Sequence, residues 1–176
     1  GQTLTIGGGN VSVNYGGALF NTNGTLVIGG GFGPRTWTDN SAGQNFGNVT
    51  VASSGATVNL GSSVTVNSLT INGGTFGAGA YTLTVGGNWT NTGIFSSGTS
   101  TVVFNNTTAG QTIAGTTTFN NLSKAVASAA TLTFPASVTQ TVAGTLTLQG
   151  ASGQLLSLRS SSPGTQWQIN PQGTRT

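Results

Sequence analysis

Apolar and polar residues alternate along this chain in short runs. Leu4 and Ile6 point one way while Thr3 and Thr5 point the other, and the pattern returns at Val11, Val13 and Tyr15, at Leu26 and Ile28, and at Val49 and Val51. It continues through the pairs Val58/Leu60, Val64/Val66, Leu69/Ile71, Leu83/Val85, Leu146/Leu148 and Leu156/Leu158. A period of two marks a strand with one dry face and one wet face. The runs are about four to six residues long, a usual strand length, and turn-forming stretches such as GGG, NTNG, SSG, NGG, NNTTAG and SPG separate them. Helix is disfavoured throughout: Glu is absent, Lys occurs once, thirty glycines are spread along the chain, and Val, Thr and Ile dominate the apolar runs.

The runs also resemble one another. TLTIGGG at Thr3, TLVIGGG at Thr25, SLTINGG at Ser68, TLTVGG at Thr82 and TLTLQG at Thr145 are variants of one motif. Several of the steps between them fall near multiples of about 21 residues, the length of one solenoid coil, although the step from 68 to 82 does not. A looser echo relates FGNV at Phe46 to FNNL at Phe119, and ATVNL at Ala56 to ATLTF at Ala130. Degenerate repeats of this length predict an all-β chain coiled as a parallel β-solenoid of about eight coils. Leu, Ile, Val and Phe ladders would face inward, Thr, Ser and Asn ladders outward, and glycine would sit at corners of positive φ. The alternative is an antiparallel β-sandwich, which also uses many short strands, and strand direction separates the two. Residues 1–176 read as one such unit, with residues 1–45 less regular and available for subunit contacts.

Composition narrows the chemistry. Hydrophobic residues make up 35% of the 176 residues and charged ones only 3%, against about 25% in an ordinary soluble domain, so hydroxyls and amides must keep the surface wet. The net charge of +3 comes from Arg35, Lys124, Arg159 and Arg175 against Asp39. These scattered cations make no stripe able to neutralise several phosphates, so no nucleic-acid partner is expected. Cys, Met and His are absent, which removes disulfides, soft-metal sites and histidine bases. One carboxylate supplies neither an acid–base pair nor a calcium repeat. Lys124, in NNLSKAVAS, reads as a solvated surface lysine. No enzyme activity, cofactor or metal is therefore expected. No run of eighteen apolar residues is present to cross a membrane as a helix, and an export signal would have been removed or lie upstream.

The stretch GNWTNTGIFSSGTSTVVFNNTTAGQTIAGTTTFNNL from Gly87 to Leu122, with SPGTQWQINPQGTRT at the C-terminal side, resembles the repeat regions of very large secreted bacterial surface proteins. These are similar to filamentous-haemagglutinin and autotransporter-type β-helical adhesins. The likeness covers residues 46 to 176 and is carried by the spacing of Trp89, Phe95, Phe104, Gln111 and Phe119. It implies a right-handed parallel β-helix with a structural or adhesive role, and it carries over no catalytic residue. Cell-surface or extracellular placement fits this resemblance and the charge-poor, cysteine-free composition.

Candidate contact residues follow from the ends and the aromatics. Phe46, Phe76, Phe95, Phe104, Phe119 and Phe134 are expected to stack in the core. Trp37 and Trp89 are either core residues or exposed platforms for glycans or extracellular matrix. Trp37 is the better ligand candidate, because RTWTDN places it between Arg35 and Asp39 in a polar stretch. No capping helix or charge cluster is visible at either end of the repeats. The leading expectation is a homopolymer, with one copy stacking on the next through Leu4, Ile6, Val11 and Val13 at one end and Trp167 and Ile169 at the other.

Overall fold

The computed structural model describes residues 3–14, 24–31, 33–41, 43–52 and 55–176; Tyr15 lies outside them. The described residues form strands and turns without helix. In chain order the strands are β1 (Thr3–Ile6), β2 (Val11–Asn14), β3 (Thr25–Ile28), β4 (Gly33–Asn40), β5 (Asn48–Val51), β6 (Ala56–Leu60) and β7 (Val64–Val66). Next come β8 (Leu69–Ile71), β9 (Thr75–Gly77), β10 (Thr82–Val85), β11 (Trp89–Asn91), β12 (Ile94–Ser96), β13 (Thr101–Phe104) and β14 (Gln111–Gly115). The last are β15 (Thr118–Phe119), β16 (Asn121–Ala125), β17 (Ala130–Phe134), β18 (Thr139–Val142), β19 (Leu146–Gln149), β20 (Leu156–Ser160) and β21 (Gln168–Pro171).

Every sheet joins strands from successive coils. One eight-stranded face runs β1-β3-β5-β8-β11-β14-β17-β20. A second face runs β2-β4-β6-β9-β12 and continues as β15-β18-β21, and the third runs β7-β10-β13-β16-β19. All pairings between these strands are parallel, for example Leu83 with Val64 and with Val102, which excludes the antiparallel sandwich. The chain is a parallel β-solenoid. The expected eight coils become about six turns, because the third face has five strands where the first has eight.

Register is fixed by the inward columns. Leu4, Leu26, Val49, Leu69, Trp89 and Ile113 stack in one column, and Ile6, Ile28, Val51, Ile71, Asn91 and Gly115 in the next. A slip of one residue in any strand would turn its apolar set outward, so burial locks the pairing. Outside, Thr50, Thr70 and Thr90 form a hydroxyl ladder on the first face, and Thr65 with Thr84 and Thr82 with Thr101 begin ladders on the third. The six phenylalanines expected in the core are all buried there. Phe76 and Phe95 stack at 6.2 Å, and Trp89 meets Phe95 edge-on at 4.9 Å.

The irregular spacing now has a cause. The motif copies at Thr3, Thr25 and Ser68 lie on the first face, whereas those at Thr82 and Thr145 lie on the third. The step from 68 to 82 is thus a step within one coil. Coil length also varies: Leu69 pairs with Trp89, twenty residues on, and Leu132 with Leu158, twenty-six on. The echo between ATVNL and ATLTF relates β6 on the second face to β17 on the first, so it reflects shared strand chemistry rather than equivalent positions. Glycine makes close stacking possible at Gly115, where φ is +80° and a Cβ would collide with the carbonyl of Asn91 in the coil below.

Candidate functional sites at the ends and in the core

The ends of the stack carry the residues expected to make subunit contacts. On the first rung Leu4 is 49% exposed, Ile6 and Val13 are half-buried, and Val11 is buried against Trp37 and its neighbours. On the last rung Trp167 and Ile169 are half-buried, as are Leu156 and Leu158, and Leu155 is 74% exposed. Leu4, Ile6, Leu156 and Leu158 occupy inward positions with a described coil on one side only, whereas Leu155 lies out of phase with the inward columns.

The last rung is not open across its whole width. Arg175 bridges to Leu146 in the inward column of the third face and donates to the Pro171 carbonyl at 2.8 Å, placing a charge where another apolar residue would continue the ladder. Thr176 closes this corner through its hydroxyl, 2.8 Å from that of Thr147. Gln172 N–H points back to Val142, and since successive N–H groups alternate in direction, position 171 would point its own toward the free edge. Proline there has none to give. These features partly cap an end that the sequence reading takes as uncapped. The edge of β20 is left open beside a concavity of about 800 Å³ lined by Leu158, Arg159, Ser160, Pro163, Gln166 and Trp167. Trp167 stacks one face on Phe134 at 4.6 Å.

Trp37, the expected ligand platform, is inside the molecule. It is 0% exposed in β4, pairs with Val11 and Leu60, and packs edge-on against Phe46 at 5.1 Å. The polar neighbours that suggested exposure are strand residues: Thr36 and Thr38 face out while Arg35 and Trp37 face in. Its Nε1 has no hydrogen-bond acceptor among the described residues. Trp89 is equally buried, and its Nε1 donates to Thr117 Oγ1 at 3.1 Å.

Two of the four cations are also interior. Arg35 is 4% exposed and heads the column Val58, Phe76, Phe95, with its guanidinium donating to the carbonyls of Gly29, Gly30 and Gly7 at the glycine corners. Lys124, read from sequence as a surface residue, is 0% exposed and pairs with Leu148 in an inward column. Its Nζ donates to Gln111 Oε1 at 2.7 Å and to the Asn106 carbonyl at 2.8 Å. Burial lowers its pKa from the ordinary lysine value, because desolvation penalises the ammonium. Gln111, itself buried, donates through Nε2 to the carbonyls of Val85 and Gly87, and buried Gln140, on the second face, donates to the carbonyl of Gly115. The signal for all of these lies in the alternation, since Gln111 shares its side with Ile113 and Lys124 with Leu122. Asp39 accepts from the amide and hydroxyl of Ser41.

Among the described residues, no three His, Cys, Asp or Glu side chains come together, and no helix is long and apolar enough to cross a membrane. The fold defines the class, a parallel β-solenoid. No family model, curated protein or solved structure matches the chain.

Proposed function

We propose that this chain is a structural subunit of an extracellular bacterial fibre, with solenoids associating end to end. The carrying observation is the β20 edge: a strand paired on one side only, flanked by half-buried Leu156, Leu158 and Trp167 and by exposed Leu155. The opposite rung offers a strand of matching alternation, Thr3–Ile6, with Leu4 and Ile6 inward and Thr3 and Thr5 outward. Laying one against the other would extend the first face by parallel pairing, a form of β-augmentation. It would bury apolar area worth about 25 cal/mol per Å². The scarcity of charge leaves little repulsion between stacked copies.

Sedimentation velocity over a concentration series tests the proposal. The wild-type chain should form polymers that grow with concentration, and Leu4→Lys with Ile6→Lys should leave monomers with unchanged circular dichroism. A wild-type chain that stays monomeric at high concentration would overturn it.

A second reading, a β-helical adhesin segment of a larger surface protein that binds glycans or matrix, is favoured by one observation. Trp167 is the partly exposed tryptophan, and it lines the concavity with Arg159, Ser160 and Gln166, an aromatic face beside polar groups of the kind that holds sugars. Glycan-array binding abolished by Trp167→Ala would favour this reading over assembly.

A further inference from the structure

The Lys124 site sets an amine against an amide in a dry place. Lys124 Nζ contacts Gln111 Oε1, both side chains are 0% exposed, and no carboxylate is bonded to the amine. Gln111 Oε1 also accepts the Asn106 backbone N–H at 3.1 Å, while Nε2 is fixed by the carbonyls of Val85 at 2.9 Å and Gly87 at 2.7 Å. Each of these contacts has a chemical consequence. Desolvation without a counter-ion favours the neutral amine, which is the nucleophilic form. A backbone N–H aimed at the amide oxygen stabilises negative charge developing there, as an oxyanion hole does. Holding both groups in one water-excluded geometry replaces a bimolecular encounter with an intramolecular one, for which effective molarities reach about 10⁵–10⁸ M.

We propose that Lys124 and Gln111 condense into an intramolecular isopeptide bond that clips β16 to β14 through the core. The Nζ lone pair adds to Cδ of Gln111, and the carbonyl electrons move onto Oε1, whose negative charge the Asn106 N–H stabilises by its hydrogen bond. One proton passes from Nζ to Nε2, the Cδ–Nε2 bond breaks, and ammonia leaves as the carbonyl re-forms. One C–N bond is made and one is broken, with no oxidant, reductant or cofactor. The product keeps an N–H able to donate to the Asn106 carbonyl.

The bond joins residues 13 apart in sequence that sit on two different faces of the solenoid. A covalent clip across a corner prevents those faces from separating when the coil opens, and it removes chain entropy from the unfolded state. It stands whether or not the subunits stack end to end, since it is complete within one chain.

Mass spectrometry of the full wild-type chain is the test. The expected mass is lower than the sequence mass by one ammonia. Because loss of ammonia at an Asn-Gly step such as Asn72-Gly73 gives the same change, trypsin must locate it. Cleavage after Lys124 should fail, giving one peptide spanning 36–159 that lacks one ammonia, in place of separate peptides 36–124 and 125–159. Lys124→Met and Gln111→Met should each restore the full mass expected for the variant. The rate of condensation in freshly refolded chain should rise with pH and level off below 10.5, because the folded lysine gives up its proton at lower pH than a free one. A folded wild-type chain that keeps its full mass and is cut after Lys124, even after prolonged incubation at pH about 10, overturns the proposal whether or not the variants fold.

Discussion

Replacing Trp37 by alanine separates a core residue from a ligand platform. The side chain is fully buried and touches Phe46 and Phe76, with ring centroids at 5.1 and 6.5 Å. A buried tryptophan removes about 150–250 Å² from water, which at about 25 cal/mol per Å² is worth about 4–6 kcal/mol. Observed Trp→Ala costs of about 3–5 kcal/mol agree. Against this, the indole N–H has no acceptor among the described residues, and losing it relieves a penalty of about 1–3 kcal/mol. The net cost should be about 3 kcal/mol. In a stack of coils it should fall mainly on the neighbours of Trp37, because each coil contacts only those beside it. Native-state hydrogen exchange is the assay: amides of β2, β4 and β6 should exchange about a hundredfold faster, at 1.4 kcal/mol per tenfold, and those of β17 and β20 should change little. Trp89 and Trp167 remain as fluorescent reporters of the later coils. A variant within about 0.5 kcal/mol of wild type would behave like a surface substitution and refute the placement of Trp37 in the core.

Four further substitutions probe the coil geometry and the free edge. Gly115→Ala should cost more than about 2 kcal/mol in a urea titration, because positive φ and collision with the Asn91 carbonyl act together. Gly153→Ala, with φ +72° but open space around it, should cost about 1 kcal/mol by the same measurement. Ser137 holds φ +59°, so Ser137→Gly should raise the unfolding midpoint, by up to about 1 kcal/mol of stability. Pro171→Thr restores an N–H on the free edge of β21 and should shift the assembly seen in sedimentation to lower concentration; no shift would show that this edge takes no part.

Much of the fold is legible in the sequence, because alternation and burial are the same fact seen twice. Leu4, Leu26, Val49 and Leu69 alternate with threonines along the chain and stack as one column in space. The exact coil count is less legible, since similar strand motifs serve different faces and the coils differ in length. Polar interior residues are hidden by their chemistry rather than by their position. Arg35, Gln111, Lys124 and Gln140 keep strict phase with apolar neighbours, yet each looks like a surface residue until the corner carbonyls and amides that it satisfies are seen. Trp37 misleads for the opposite reason: its polar neighbours belong to the outer face of the same strand. The partial cap is invisible in sequence because it depends on Arg175 falling behind Leu146, a register set by the varying coil lengths before it.

The end-to-end claim meets its most direct test in electron microscopy of the purified chain at high concentration. End-to-end stacking predicts unbranched rods one solenoid wide that lengthen as concentration rises and shorten to single particles with Leu4→Lys and Ile6→Lys. Single particles of one subunit length at every concentration, with no rods, would contradict it.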